Sequence, residues 1–133
     1  MSIQILTNSE KSIKAADVMR LYRDAGWWRE REEGDIELML ASGPSVGAWD
    51  GEALIGFARA VADGKFRAYI EDVVIHSAYQ RDGIGTQLVS RLLEILAHID
   101  VISLFCEPHL IPFYEKNNFR HSKSQNVMHL IKR

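Results

Sequence analysis

The sequence holds a single cysteine, Cys106, among its 133 residues. One thiol excludes an internal disulfide and suits a reducing compartment. An excess of positive charge is missing as well: 16 Lys and Arg stand against 18 Asp and Glu, a formal charge of −2. That removes the usual electrostatic ground for a nucleic-acid partner. No apolar stretch approaches the roughly 20 residues that span a bilayer, and no apolar run follows Met1. The expectation is therefore no signal peptide, no membrane anchor and a cytoplasmic protein. The five histidines (His76, His98, His109, His121 and His129) lack zinc-like spacing, so no metal is expected. Repeats, low-complexity tracts and linkers are absent too.

What is present is ordinary in bulk, with 47% apolar and 26% charged residues. The length suits one domain, residues 1–133. Residues 3–6 read as a first strand. Asn8 or Ser9 offers N-cap chemistry for a helix whose apolar face carries Ile13, Ala16, Val18, Leu21 and Tyr22. Gly26 closes that pattern, and Trp27 and Trp28 follow. Residues 29–34 read as an exposed charged segment. Ile36, Leu38, Met39 and Leu40 suggest a second, short helix stopped by Gly43-Pro44. The period then changes. Residues 46–49, 53–61 and 66–75 are strand-like, and Asp50-Gly51 and Asp63-Gly64 between them are hairpin signals. From Gly83 the helical period returns through Ile84, Leu88, Val89, Leu92, Leu93 and Leu96. Residues 100–106 read as a strand containing Cys106 as a small buried residue. Pro108 opens a short helix ending near Asn117-Asn118, and residues 119–131 supply one or two closing strands. The order β-α-α-β-β-β-α-β-α-β predicts an α+β fold. Its sheet is mixed and mostly antiparallel, with a central βαβ crossover and helices on both faces.

The segment from Val73 to Leu88 carries the strongest chemical signal. A strand enters a polar turn, then Gly83-Ile84-Gly85, then a long amphipathic helix. Such a loop points free N–H groups and the positive end of a helix dipole at a phosphate or pyrophosphate. Glycines at 83 and 85 keep side chains from holding that ligand off the backbone. A dinucleotide fingerprint is incomplete, because Leu88 stands at the third glycine position, and the Lys-Ser/Thr of a P-loop is missing.

Gln80-Arg81-Asp82-Gly83-Ile84-Gly85 resembles the Gln/Arg-x-x-Gly-x-Gly/Ala signature of the GCN5-related N-acetyltransferase (GNAT) family. Pro112-Phe113-Tyr114-Glu115-Lys116-Asn117-Asn118-Phe119 resembles the family's Phe-Tyr-Glu-Lys-x-Gly-Phe segment. The element order fits as well, so the resemblance covers essentially the whole chain. It implies a GNAT fold and an acyltransferase that moves an acetyl group from acetyl-coenzyme A to a primary amine. The coenzyme's pyrophosphate would lie on Gln80, Arg81, Asp82, Gly83, Ile84, Gly85 and Thr86. Its pantetheine arm would pair with Val73, Val74 and Ile75 like an added strand. That strand would splay from the next one near 102–105, and a backbone N–H near Val74 would polarise the thioester carbonyl. Tyr114 matches the family tyrosine placed beside the coenzyme sulfur, a general acid for the leaving thiolate. The alternative for Tyr114 is an amphipathic core residue.

For the base, Glu71 and Asp72 are the candidates. Strand alternation sends them to opposite faces, so at most one should reach the substrate. Each has an alternative as an ion-pair partner of Arg59 or Arg67, or as an acceptor-binding group. Trp27 and Trp28, followed by Glu30, Glu32, Glu33 and Asp35, sit where the amine enters in this family and suit a cationic or aromatic amine. The charge run itself reads as a solvated face balanced by Arg29 and Arg31. Leu21-Tyr22-Arg23-Asp24-Ala25-Gly26-Trp27 resembles small bacterial members related to aralkylamine acetyltransferases. Two positions depart from the family pattern: Asn118 replaces a glycine, in a left-handed turn that Asn tolerates, and Glu107 replaces an Asn that touches the cofactor arm. A non-catalytic acyl-coenzyme A sensing or protein-interaction module on the same fold is the alternative function. The expected partner is a small-molecule amine, not a protein lysine, and the last strand could pair across a two-fold axis into a homodimer.

Overall fold

Two Asp-Gly turns organise the sheet. The computed structural model describes residues 2–80 and 83–132. In it, Gly51 and Gly64 take left-handed backbone angles, φ 59 and φ 89. Asp63 locks the second turn, its Oδ1 accepting the backbone N–H groups of Lys65, Phe66 and Arg67 at 2.8, 2.8 and 3.1 Å. The turns join β2 (Ser45–Asp50), β3 (Ala53–Ala62) and β4 (Arg67–Ile75) into an antiparallel meander. β1 (Ile3–Thr7) adds to β2 antiparallel, and β5 (Val101–Leu104) adds to β4 parallel, giving the sheet order β1-β2-β3-β4-β5. The β4–β5 connection runs through α3 (Ile84–Ile95), the expected βαβ crossover.

Each sheet face buries its own core. On one side α3 presents Ile84, Leu88 and Leu92 to Val46, Ala58 and Ile70. On the other, α1 (Ala15–Ala25) and α2 (Glu33–Ser42) pack Val18, Leu21, Tyr22 and Ile36 against Trp49, Phe57 and Val74. α4 (Ile111–Lys116) follows β5 and is capped by Asn117; Asn118 after it, with φ 71, makes the left-handed turn expected of it.

Three expectations fail here. α1 starts later, with Lys14 and not Asn8 or Ser9 as N-cap. Asn8 instead uses its Oδ1 to accept the N–H of Ile13 at 2.8 Å, bracing the loop ahead of the helix. Cys106 lies beyond β5, half-buried, because β5 stops at Leu104. The closing strands do not form: residues 120–132 run irregularly, and Val127, Met128, Leu130 and Ile131 are exposed. Their apolar pattern reads as strand, but a strand needs a paired neighbour. Gly85 also has a packing role. A Cβ there would come within 3.1 Å of Ile75 Cδ1 and 3.3 Å of Phe113 Cζ, so the missing side chain lets α3 close on the end of β4 and on α4. Arg81 and Asp82, both expected in the cofactor loop, lie outside the described residues.

Candidate active site

The site grows from an irregularity in β4. The β3–β4 register moves from Arg59↔Asp72 directly to Ala60↔Ile70, leaving Glu71 as the extra residue of a bulge. An extra residue reverses the in-out alternation of everything after it. Ala68 and Ile70 pack in the α3-side core, whereas Val74 packs in the opposite core and Val73 and Ile75 turn toward α3. The expectation that Glu71 and Asp72 part to opposite faces therefore fails. Both border one cavity of about 490 Å³.

That cavity opens where the sheet splits. The β4–β5 ladder ends at Ile70↔Leu104, and β4 continues to Ile75 with no neighbouring strand on that edge among the described residues. His76 N–H donates to Ile55 C=O at 2.8 Å across β3. Antiparallel alternation then turns Val74 and Asp72 toward β3 and leaves the N–H groups of Val73 and Ile75 on the open edge. The Ile75 carbonyl on this edge accepts Gln80 Nε2 at 3.2 Å, so Gln80 braces the turn. Gly83 follows as the N-cap of α3, with φ 74. Among the described residues, the helix start carries no side-chain cap and no acidic residue in its first turn. An open strand edge leading to an uncapped helix N-terminus fits an extended amide arm ending in a pyrophosphate.

Tyr114, from α4, borders the same cavity. Burial, and then nearby Cys106, push its hydroxyl up to about 12, so the phenol keeps its proton through the neutral range. Its ring packs edge-on against Phe113 and Phe119, with centroids 4.9 and 5.9 Å away. Tyr114 also borders a second cavity of about 600 Å³, walled by β5 and by tail residues including His121 and Val127.

Trp27 and Trp28 close the cavity from the α1 side. α1 ends at Gly26 (φ 75), and Trp28 sits at φ 52, a left-handed angle rare for a bulky side chain. Its indole Nε1 donates to Asp72 Oδ1 at 3.1 Å. The other carboxylate oxygen accepts the Tyr22 hydroxyl at 2.8 Å and Arg59 Nε at 2.9 Å, with Arg31 Nη1 at 3.7 Å. Asp72 is 2% exposed. The Arg59 ion pair foreseen for one of the two carboxylates thus belongs to Asp72. Burial, followed by Asp72, raises the Tyr22 pKa. Burial and then neighbouring Glu71 do the same to Tyr69, whose ring lies 5.0 Å from that of Phe105.

The charged segment is not uniformly solvated. Glu32, Glu33 and Asp35 are exposed at the start of α2, where Asp35 Oδ2 accepts the Glu32 N–H at 2.8 Å. Arg31 is drawn inward, its guanidinium 4.0 Å above the Trp28 ring. Sequence reasoning missed Phe105 and Leu110 as cavity walls, and it placed Cys106 in the strand and Glu107 only as a lost cofactor contact. The usable signal was position: all four follow the end of a strand running parallel to β4, where the sheet separates.

The sequence profile of the Acetyltransferase (GNAT) family matches residues 12–119. An uncharacterised N-acetyltransferase ycf52 of Pyropia yezoensis is 33% identical over 122 residues, 86% of this chain and 70% of that protein. Its counterpart in Porphyra purpurea is 47% identical over 68 residues, 50% of this chain but 39% of that protein. The chain thus spans well under half of this second relative. A GNAT family acetyltransferase from Streptococcus pneumoniae superimposes with a TM-score of 0.85 at 28% identity, covering 99% of both chains.

Proposed function

This chain belongs to the GNAT acetyltransferase family, and from that premise we infer that it moves an acetyl group from acetyl-coenzyme A to a primary amine by direct attack. One observation carries the reading: a single cavity joins Glu71, the open edge at Val73 and Tyr114 at the split between β4 and β5. The acyl donor supplies a thioester, activated toward amines, with a thiolate as leaving group. The Val73 N–H on the open edge is placed to donate to the thioester carbonyl and stabilise its developing negative charge. Glu71 takes the amine's proton, directly or through water, in this reading, since both oxygens of Asp72 already accept bonds from Tyr22, Trp28 and Arg59. As the C–N bond forms and the C–S bond breaks, Tyr114 gives its proton to sulfur. The walls of Trp27, Trp28 and Phe105 beside Glu71 favour an aromatic or otherwise apolar amine as acceptor, in keeping with the aralkylamine-like segment around Tyr22.

The test is calorimetric binding of acetyl-coenzyme A, NAD and ATP, followed by an amine screen read by thiol release. Binding of acetyl-coenzyme A alone, with thiol released for aromatic amines, supports the reading. Binding without thiol release for any amine would move the function to a sensing module on the same fold.

A further inference from the structure

Asp72 borders the cavity with only 2% of its surface exposed, and we propose that it is a positioning residue that fixes Trp28 as the acceptor wall. The proposal rests on the amine-acetylating reading above and deepens it. Trp28 is the residue that most needs holding. Its backbone is left-handed at φ 52, a conformation that persists only where surroundings over-determine it. Two contacts do so: the indole N–H bond to Asp72 at 3.1 Å and the Arg31 guanidinium at 4.0 Å from the ring. Asp72 in turn is oriented by Tyr22 and Arg59, bonded to Oδ2 while Trp28 takes Oδ1. Neither Tyr22 nor Arg59 borders the acceptor cavity. The chain of contacts runs from the core residue Tyr22, 2% exposed, through a buried carboxylate to the face of the cavity. Both oxygens of this carboxylate, 2% exposed, are already engaged by protein donors.

Tyr22→Phe separates this role from catalysis, since it removes one hydroxyl and leaves the ring in the core. It is expected to raise the KM for the best amine about fivefold, the cost of one hydrogen bond. The kcat, the KM for acetyl-coenzyme A and the pH profile should hold. Trp28→Phe should raise the same KM, and the double variant should be less than additive because both act through one carboxylate. Asp72→Asn should raise the KM and keep the pH profile. A second readout works without turnover: in Trp27→Phe/Trp49→Phe protein, the remaining Trp28 emission should become more accessible to acrylamide when Tyr22→Phe is added. Unchanged quenching overturns the proposal, as does an Asp72→Asn profile that loses its acidic limb, which would make Asp72 the base. Failure of wild-type protein to release thiol with any amine would instead defeat the reading of the reaction, and the quenching comparison would still decide the role of Asp72.

Discussion

At the scale of single residues, the proposed proton transfer rests on Glu71 and Tyr114, which border one cavity. Tyr114→Phe should lower kcat about 10²-fold, the lower end of a general acid's contribution, while calorimetric affinity for acetyl-coenzyme A stays within twofold, as roughly expected of a group acting only on the leaving thiolate. Unchanged turnover would hand the acid role to water. Glu71→Gln should lower kcat/KM by about the same factor and remove the acidic limb of the pH–rate profile. The Tyr114 shift also bears on stability. Its pKa is raised from 10.0 to about 12 in the folded state, so the unfolded chain releases that proton first. The stabilisation is complete below pH 10 and disappears as pH climbs toward 12. Thermal melts from pH 9 to 12 should show a steeper fall for wild type than for Tyr114→Phe. The two bases proposed by sequence could not be told apart there. Glu71 and Asp72 differ by one methylene and one position, and what separates them is the set of partners brought in from α1, the loop after it and β3, more than forty residues upstream in the case of Trp28.

At the scale of elements, most of the architecture was legible. Asp-Gly pairs can be read because the turn conformation needs a residue tolerant of positive φ, and both were hairpin turns. Helix periodicity gave α3, and the left-handed Asn118 followed from the chemistry of Asn. The β4 bulge was not legible, since register is decided by the pairing of two strands and neither sequence shows it alone. Gly85 was legible as a small residue, but its packing against Ile75 and Phe113 was not. Gly85→Ala places a methyl 3.1 Å from Ile75 and 3.3 Å from Phe113. Urea denaturation should show a loss of about 1–3 kcal/mol, with weaker acetyl-coenzyme A binding as α3 withdraws from the end of β4. Equal stability with intact binding would mean that Phe113 swings aside freely.

At the scale of the whole molecule, two cores flank one sheet and the tail belongs to neither. Residues 124–132 are exposed throughout, so removing the chain from 124 onward should move Tm by no more than about 2 °C, whereas Leu88→Ala, fully buried under α3, should cost about 2–5 kcal/mol. A large drop on truncation would show that the tail pairs in solution. The apolar pattern of that tail suggested strands because pattern reports what a segment could bury, not whether a neighbour exists to bury it against. The extra residue at Glu71 has a different kind of consequence, for how this chain is compared with others. Substitution can change which amino acid stands there but cannot undo the insertion; only a deletion does. Against a relative whose strand is regular, the correct alignment carries a one-residue gap at position 71. An ungapped alignment would equate inward residues of one protein with outward residues of the other from Asp72 to Ile75.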